Sequence, residues 1–205
     1  MTTDALSFAE PRGKRSVDIA LCLLAMPLVL PVLGIVALAV RLDSPGPIVF
    51  RQQRTGRDGH RFAMYKFRTM VRDAEALKPT LAHLNILPPP DFKIPNDPRI
   101  TRVGKFLRKT SLDELPQVFN VLRGEMSVVG PRPTSFAPST YSLWHTARLE
   151  VRPGITGRWQ IMGRNESTFD QRLRMDVAYI RNMSLREDLR IIAMTVLAVV
   201  HRKGE

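Results

Sequence analysis

The sequence predicts a mostly helical α/β protein attached to one face of a membrane. Its parts are an N-terminal re-entrant membrane helix, a short β-hairpin and amphipathic interfacial helices. Three observations predict this monotopic class. Ile19–Val40 is a run of 22 residues without one charged side chain, long enough for a membrane helix. Pro27 and Pro31 lie one turn apart inside that run, and basic residues flank both ends of it. Short apolar strands and several segments of helical periodicity follow.

Arg12, Lys14 and Arg15 precede the apolar run, and Arg41, Arg51, Arg54 and Arg57 follow it. Basic flanks are held on the cytoplasmic side, and a straight span satisfies only one of them. A helix that enters, bends at the prolines and returns satisfies both, because proline deletes a helical hydrogen bond and crowds the preceding turn. An ordinary span is the competing reading of the same residues. A cleaved leader fits less well. The run exceeds the usual leader core, Asp18 sits at its edge and no small-x-small site follows.

The predicted organisation is a flexible tail over 1–13, a membrane helix-break-helix over 14–43 and a globular part over 44–205. Ser44-Pro45-Gly46-Pro47 stops the helix. Ile48–Phe50 and Phe62–Phe67 read as strands joined at Arg57-Asp58-Gly59. Val71–Leu84 reads as a helix interrupted at Pro79, and Pro88–Pro98, with five prolines, as a loop. A helix over Arg102–Lys109 comes next. Leu115, Val118, Phe119 and Leu122 share one helical face, with Pro116 in the first turn and Gly124 as the stop. Val129–Pro133 and Arg152–Arg158 read as rigid loops. Thr168/Gln171 and Ser184/Glu187 have capping-box spacing and open two further helices. The last helix, Leu185–His201, is apolar enough to be either a core helix or one lying in the membrane interface.

The chain has 205 residues and a formal charge of +12. That charge calls for an anionic partner: nucleic acid, an anionic phospholipid membrane or phosphorylated small molecules. Nucleic acid is not expected, since no helix-turn-helix, finger or aromatic RNA-binding motif is present. The single cysteine, Cys22, excludes an internal disulfide. Four scattered histidines without cysteine partners argue against structural zinc.

Arg99, Arg102, Lys105, Arg108 and Lys109 run into the adjacent acids Asp113 and Glu114, and a Gly-Pro-Arg-Pro turn follows at 130–133. Arginine forks near a helix start can hold phosphates, and adjacent carboxylates can hold a divalent cation against a diphosphate. The same acids have a plainer reading. Ser111 to Glu114 has capping-box spacing, although that register leaves Pro116 past the first-turn positions.

The string KFLRKTSLDELPQVFNVLRGEMSVVGPRP, Lys105–Pro133, closely resembles the bacterial sugar transferase family, the monotopic polyprenyl-phosphate hexose-1-phosphate transferases. The likeness continues in Leu42–Met70, Asn96–Ser111 and Val151–Asn165, in the family's order. The resemblance implies transfer of a sugar-1-phosphate from a nucleotide-diphosphate sugar, UDP-linked, to polyprenyl phosphate. Asp113 corresponds to the nucleophile and to the residue near which Mg²⁺ binds, and Glu114 to its partner acid. Arg108 and Arg132 correspond to active-site positions and are expected to contact phosphate, with Lys66, Arg68 and Arg158 as weaker candidates. The family's re-entrant helix breaks at a Ser-Pro pair. Here Leu30-Pro31 occupies that position, so no hydroxyl is available for a freed carbonyl, and Pro27 adds a break one turn earlier. The likeness is to the minimal form of the family. It implies a cytoplasmic catalytic domain on the bacterial inner membrane, with a homodimer and downstream glycosyltransferases as further partners. An inactive scaffold for glycan assembly is the alternative.

Overall fold

The computed structural model describes residues 10–87, 92–135, 143–162 and 168–200. They fall into two compact units that interleave along the chain. The first lies within Met1–Ala25, Gln52–Met64 and Gln117–Lys203, and the second within Met26–Arg51 and Tyr65–Pro116.

Helix α1, Lys14–Asp43, begins in the first unit and ends in the second. It runs without interruption through Pro27 and Pro31, where the sequence predicts a break between two helices. Each proline costs the ladder one N–H donor, and a helix absorbs that by bending rather than ending. From Lys14 to Asp43 it is one helix of 30 residues with both prolines inside it. Among the described residues it is the one helix long and apolar enough to cross a membrane, and only 11% of its most apolar window is buried. Leu24 and Leu28 face outward. A core helix hides such residues, whereas this surface suits lipid.

The two ends of α1 are anchored, each within its own unit. Lys14, Asp18 and Cys22 form a buried stripe at i, i+4, i+8. Lys14 Nζ donates to Asp188 Oδ2 at 2.6 Å and to the Val129 carbonyl at 3.0 Å. Asp18 accepts from Ser127 Oγ and the Val128 N–H. At the other end, Val36 and Val40 pack with Phe67 and Leu107. Within the predicted tail, Glu10 accepts from Arg152, which donates from its backbone N–H and guanidinium, and residues 1–9 lie outside the described residues.

In the first unit, β3 (Ser127–Val129) pairs parallel with β4 (Gly154–Thr156), Ser127 opposite Gly154. β4 falls within the predicted Arg152–Arg158 loop, and β3 overlaps the predicted Val129–Pro133 loop only at Val129. Strands of three residues are too short for alternation to register. Gly154 permits the close approach: a Cβ there would lie 2.1 Å from Gly130 N. Helix α3 (Gln117–Arg123) ends at Gly124, at φ 84°, and α4 spans Arg158–Met162. Helix α5 (Phe169–Arg181) starts at the predicted Thr168/Gln171 capping box. Helix α6 (Leu185–Val200) follows, with Ser184 Oγ accepting from the Glu187 N–H. Its buried side places Ile191 against Val129, Val151, Tyr179 and Ile180. Its other side exposes Leu189, Val196 and Leu197. The two readings of this helix thus each describe one face of it.

The predicted hairpin forms from β1 (Val49–Thr55) and β2 (Arg61–Phe67), with β1 running five residues past the predicted end at Phe50, and Asp58 in its turn adopts φ 54°. Val71–Leu84 is not the predicted helix. It is a run of turns closing in a 3-10 turn at Ala82–Leu84. Pro79 disfavours helical backbone before it, and nearly all of this stretch is exposed. Part of the proline-rich loop, 88–91, lies outside the described residues. Helix α2, Arg102–Thr110, is capped by Thr101, whose hydroxyl accepts from the Gly104 N–H.

Candidate active site

The second unit carries five of the predicted site residues: Lys66, Arg68, Arg108, Asp113 and Glu114. Helix α2 ends at Ser111, in the left-handed region at φ 58°. The chain then makes a 3-10 turn, Leu112–Glu114, which presents both acids. The Ser111/Glu114 capping box does not form, because a left-handed residue is not in the extended conformation an N-cap needs. Pro116 stands just before α3 rather than inside it. Leu112 and Leu115 pack into the Val36, Val40, Phe67, Leu107 cluster. The turn bearing the carboxylates is thereby fixed to the last turns of α1, and Asp113 is only 9% exposed.

Lys66 Nζ donates to Glu114 Oε1 at 2.7 Å, and the two side chains are 16% and 17% exposed. The structure gives this predicted phosphate ligand a carboxylate partner, although an ammonium has three donors to share. Arg108 Nε donates to Thr69 Oγ1 at 2.8 Å. Partial burial lowers the pKa of Arg108, and the Asp113 carboxylate acts in the opposite direction. Asp113 and Arg108 therefore interact electrostatically.

Arg68 has a different task. Its Nη1 donates to the Pro47 carbonyl, and its Nη2 to Val40 O, Ser44 O and Ser44 Oγ. Buried at 6% exposure, it closes the end of α1 by bonding the Val40 carbonyl, which the helix leaves unpaired, and the Ser44 and Pro47 carbonyls just past the helix. These bonds give the predicted phosphate ligand Arg68 a structural role as well.

Arg132 and Arg158 belong to the first unit. Arg132 stands between Pro131 and Pro133, and its carbonyl accepts from Arg148 Nη2 at 2.6 Å. Arg148 in turn pairs with buried Asp176 at 2.6 Å. Arg158 opens α4 and lines a groove with residues of the α5–α6 turn and α6.

Three supporting residues escape sequence reasoning: Thr69, Asp43 and Gly104. Asp43 accepts from the Val103 N–H at 3.1 Å, joining the end of α1 to the start of α2. Gly104 lies against the Thr69 carbonyl, only 2.1 Å from where its Cβ would be. The one available signal is a glycine inside a helix, which costs about 1 kcal/mol against alanine and marks a close approach.

Among the described residues, no three His, Cys, Asp or Glu side chains gather as a metal site. Mg²⁺ takes one or two protein carboxylates and completes its shell with water and substrate phosphate, and the 3-10 turn carries two, Asp113 and Glu114.

Residues 9–202 match the family model described as bacterial sugar transferase. The chain belongs to that family. Among its relatives, the galactosyl transferase CpsE of Streptococcus agalactiae serotype III is 45% identical over 198 residues, covering 94% of this chain and 43% of the relative. The undecaprenyl-phosphate galactose phosphotransferase of Salmonella typhimurium is 43% identical over 196 residues, covering 93% and 41%. The exopolysaccharide production protein ExoY of Rhizobium meliloti is 39% identical over 203 residues, covering 94% and 87%. The chain thus spans less than half of the first two relatives and most of the third. The sugar transferase match includes every predicted site residue in both units.

Proposed function

We propose that this sugar transferase moves a sugar-1-phosphate from a UDP-sugar to polyprenyl phosphate through an ester on Asp113. A buried carboxylate fixed beside Arg108 and the Lys66–Glu114 pair carries the reading. A carboxylate is a weak nucleophile unless it is positioned and the charge on its target is neutralised. Leu112 and Leu115 supply the positioning, and the basic side chains supply the charge. An Asp113 oxygen attacks the β-phosphorus, the bond from that phosphorus to the bridging oxygen breaks, and UMP leaves with that oxygen. A phosphate oxygen of the lipid then attacks the same phosphorus, and the Asp113 carboxylate is released. Bound at Asp113, Mg²⁺ would neutralise diphosphate charge. Glu114, oriented by Lys66, positions the acceptor. Arg132 is assigned to phosphate.

The membrane reading rests on the anchors of α1. Lys14 and Asp18 bond to residues 127–188, which follow the helix in the chain. No described helix after Asp43 is long and apolar enough to carry the chain back across a bilayer. Basic residues on both flanks of the apolar run favour one membrane face for both ends of α1, which supports a re-entrant α1 bent at Pro27 and Pro31. The basic flanks make that face cytoplasmic, at the bacterial inner membrane. Residue 113 then sits where a lipid phosphate can reach it.

The test is UMP release from a panel of UDP-sugars with undecaprenyl phosphate and Mg²⁺. Two of the relatives are named for galactose, so UDP-galactose is the first donor. Turnover is expected to vanish in Asp113→Asn, and intact mass is expected to show a phosphosugar adduct on the parent protein. An active Asp113→Asn enzyme would remove the proposed nucleophile. A parent protein silent with every donor would favour the scaffold reading. Cysteine labelling that put residues 10–13 on the face opposite the hairpin would restore an ordinary span.

A further inference from the structure

In the first unit, a groove of about 670 Å³ is lined by Arg158, Asn182, Ser184, Arg186, Glu187 and Arg190. Three guanidinium groups face one carboxylate there, and Glu187 lies 3.8 Å from Arg190. The basin therefore carries excess positive charge, with Asn182 and Ser184 as neutral polar groups beside it. It adjoins a narrower slot lined by Ile161, Met162, Ile191 and Met194, with Arg158, Glu187 and Arg190 common to both. One end of the feature suits an anion and the other suits hydrocarbon. Methionine is well fitted to such a slot, since its flexible thioether adapts to irregular chains.

The outer face of α6 continues the same gradient. Its exposed positions are Arg186, Leu189, Arg190, Ala193, Val196 and Leu197, one helical stripe at i, i+3, i+4, i+7 spacing. The arginines occupy its start and the apolar residues its end. Met162, on α4, adds another exposed apolar side chain beside the slot. A free phosphate accounts for the basin but leaves the slot and the stripe without a purpose. An amphiphile accounts for all three.

We propose that the groove formed by α4, the α5–α6 turn and α6 binds one anionic phospholipid. Its phosphate sits among Arg158, Arg186 and Arg190, and the start of an acyl chain lies along Met162 and Met194. The guanidinium forks supply the phosphate recognition, and attraction of an anionic surface to clustered basic residues adds to it. The site selects membranes rich in acidic lipid and holds α6 in the plane of the interface.

Native mass spectrometry of the full chain in detergent tests this. Phosphatidylglycerol and phosphatidylcholine of equal chain length are added separately, with inorganic phosphate as competitor. Phosphatidylglycerol is expected to be retained with about tenfold preference. The preference is expected to disappear in the Arg186→Gln/Arg190→Gln double variant. Independently, Met162→Gln is expected to reduce retention of long-chain but not short-chain phosphatidylglycerol. Equal retention of the two lipids, or an undiminished preference in the double variant, overturns the proposal. Full displacement by equimolar inorganic phosphate, or indifference to Met162→Gln, overturns the assignment of an amphiphile.

Discussion

Lys66 Nζ lies 2.7 Å from Glu114 Oε1, with both side chains largely shielded from water. The strand β2 thereby orients the acid next to the proposed nucleophile. Shielding makes the pair stronger than an exposed one and makes its disruption costly, because one shielded charge then loses this partner.

Lys66→Met is expected to lower UMP release by about 10–100-fold, equivalent to about 1.4–2.7 kcal/mol of transition-state stabilisation. Glu114→Gln is expected to do the same. The double variant should be little worse than either single one, since residues acting as one unit are not additive. A double variant whose loss equals the product of the two single losses would show that the pair does not act together.

Arg68 is predicted to separate stability from chemistry. Its four acceptors are all within Val40–Pro47. Arg68→Met removes the donor to these groups, among them the buried Val40 carbonyl, at a cost of about 1–3 kcal/mol. Thermal unfolding in detergent should shift downward accordingly, while the KM for the donor stays unchanged in the protein that remains folded. A raised donor KM with unchanged unfolding would return Arg68 to phosphate binding.

What could be read from the chain followed from contacts that are local in sequence. The extent of α1, the hairpin turn, the start of α2 and the Thr168/Gln171 box are each set by a stop, a cap or a turn residue beside them. Asp113 and Glu114 came from motif resemblance, not periodicity. What the chain did not show are partners distant in sequence. Lys14, one of the charges flanking the apolar run, is buried against Asp188, 174 positions away. Arg68 is one cation among many until its carbonyl partners are seen. The short strands β3 and β4 exist only as a pair, across 27 positions of register from Ser127 to Gly154. No window along the sequence contains such information.

Asp176 gives a prediction in pH. Burial pushes its carboxyl up to about 7, against the opposing pull of Arg148 and Arg172. The unfolded carboxyl titrates near 3.8. Between these values the folded state binds more protons than the unfolded one, so this group's contribution to stability falls as pH rises. The contribution is complete below about pH 4 and is lost as pH passes about 7, with a slope of at most about 1.4 kcal/mol per pH unit. Asp176→Asn carries no titrating group at this position, so its unfolding temperature should vary less across this range. An unchanged pH slope in the variant would place the titration elsewhere.

The same substitution in two helices should have opposite consequences. Gly104 in α2 has the Thr69 carbonyl 2.1 Å from its Cβ position, and that contact is backbone. Thr69 also accepts from the Thr101 N–H through its carbonyl and from Arg108 Nε through its hydroxyl. Gly104→Ala must push α2 from this strand end, at about 1–3 kcal/mol for overpacking, and must carry Arg108 with it. Gly34 in α1 has nothing within 4 Å of its Cβ position. Alanine there gains about 1 kcal/mol of helix propensity with no steric cost. Unfolding temperature and UMP release should therefore both fall for Gly104→Ala, while Gly34→Ala holds or raises the first. Equal shifts from the two alanines would mean that α2 does not sit against Thr69 as closely as described.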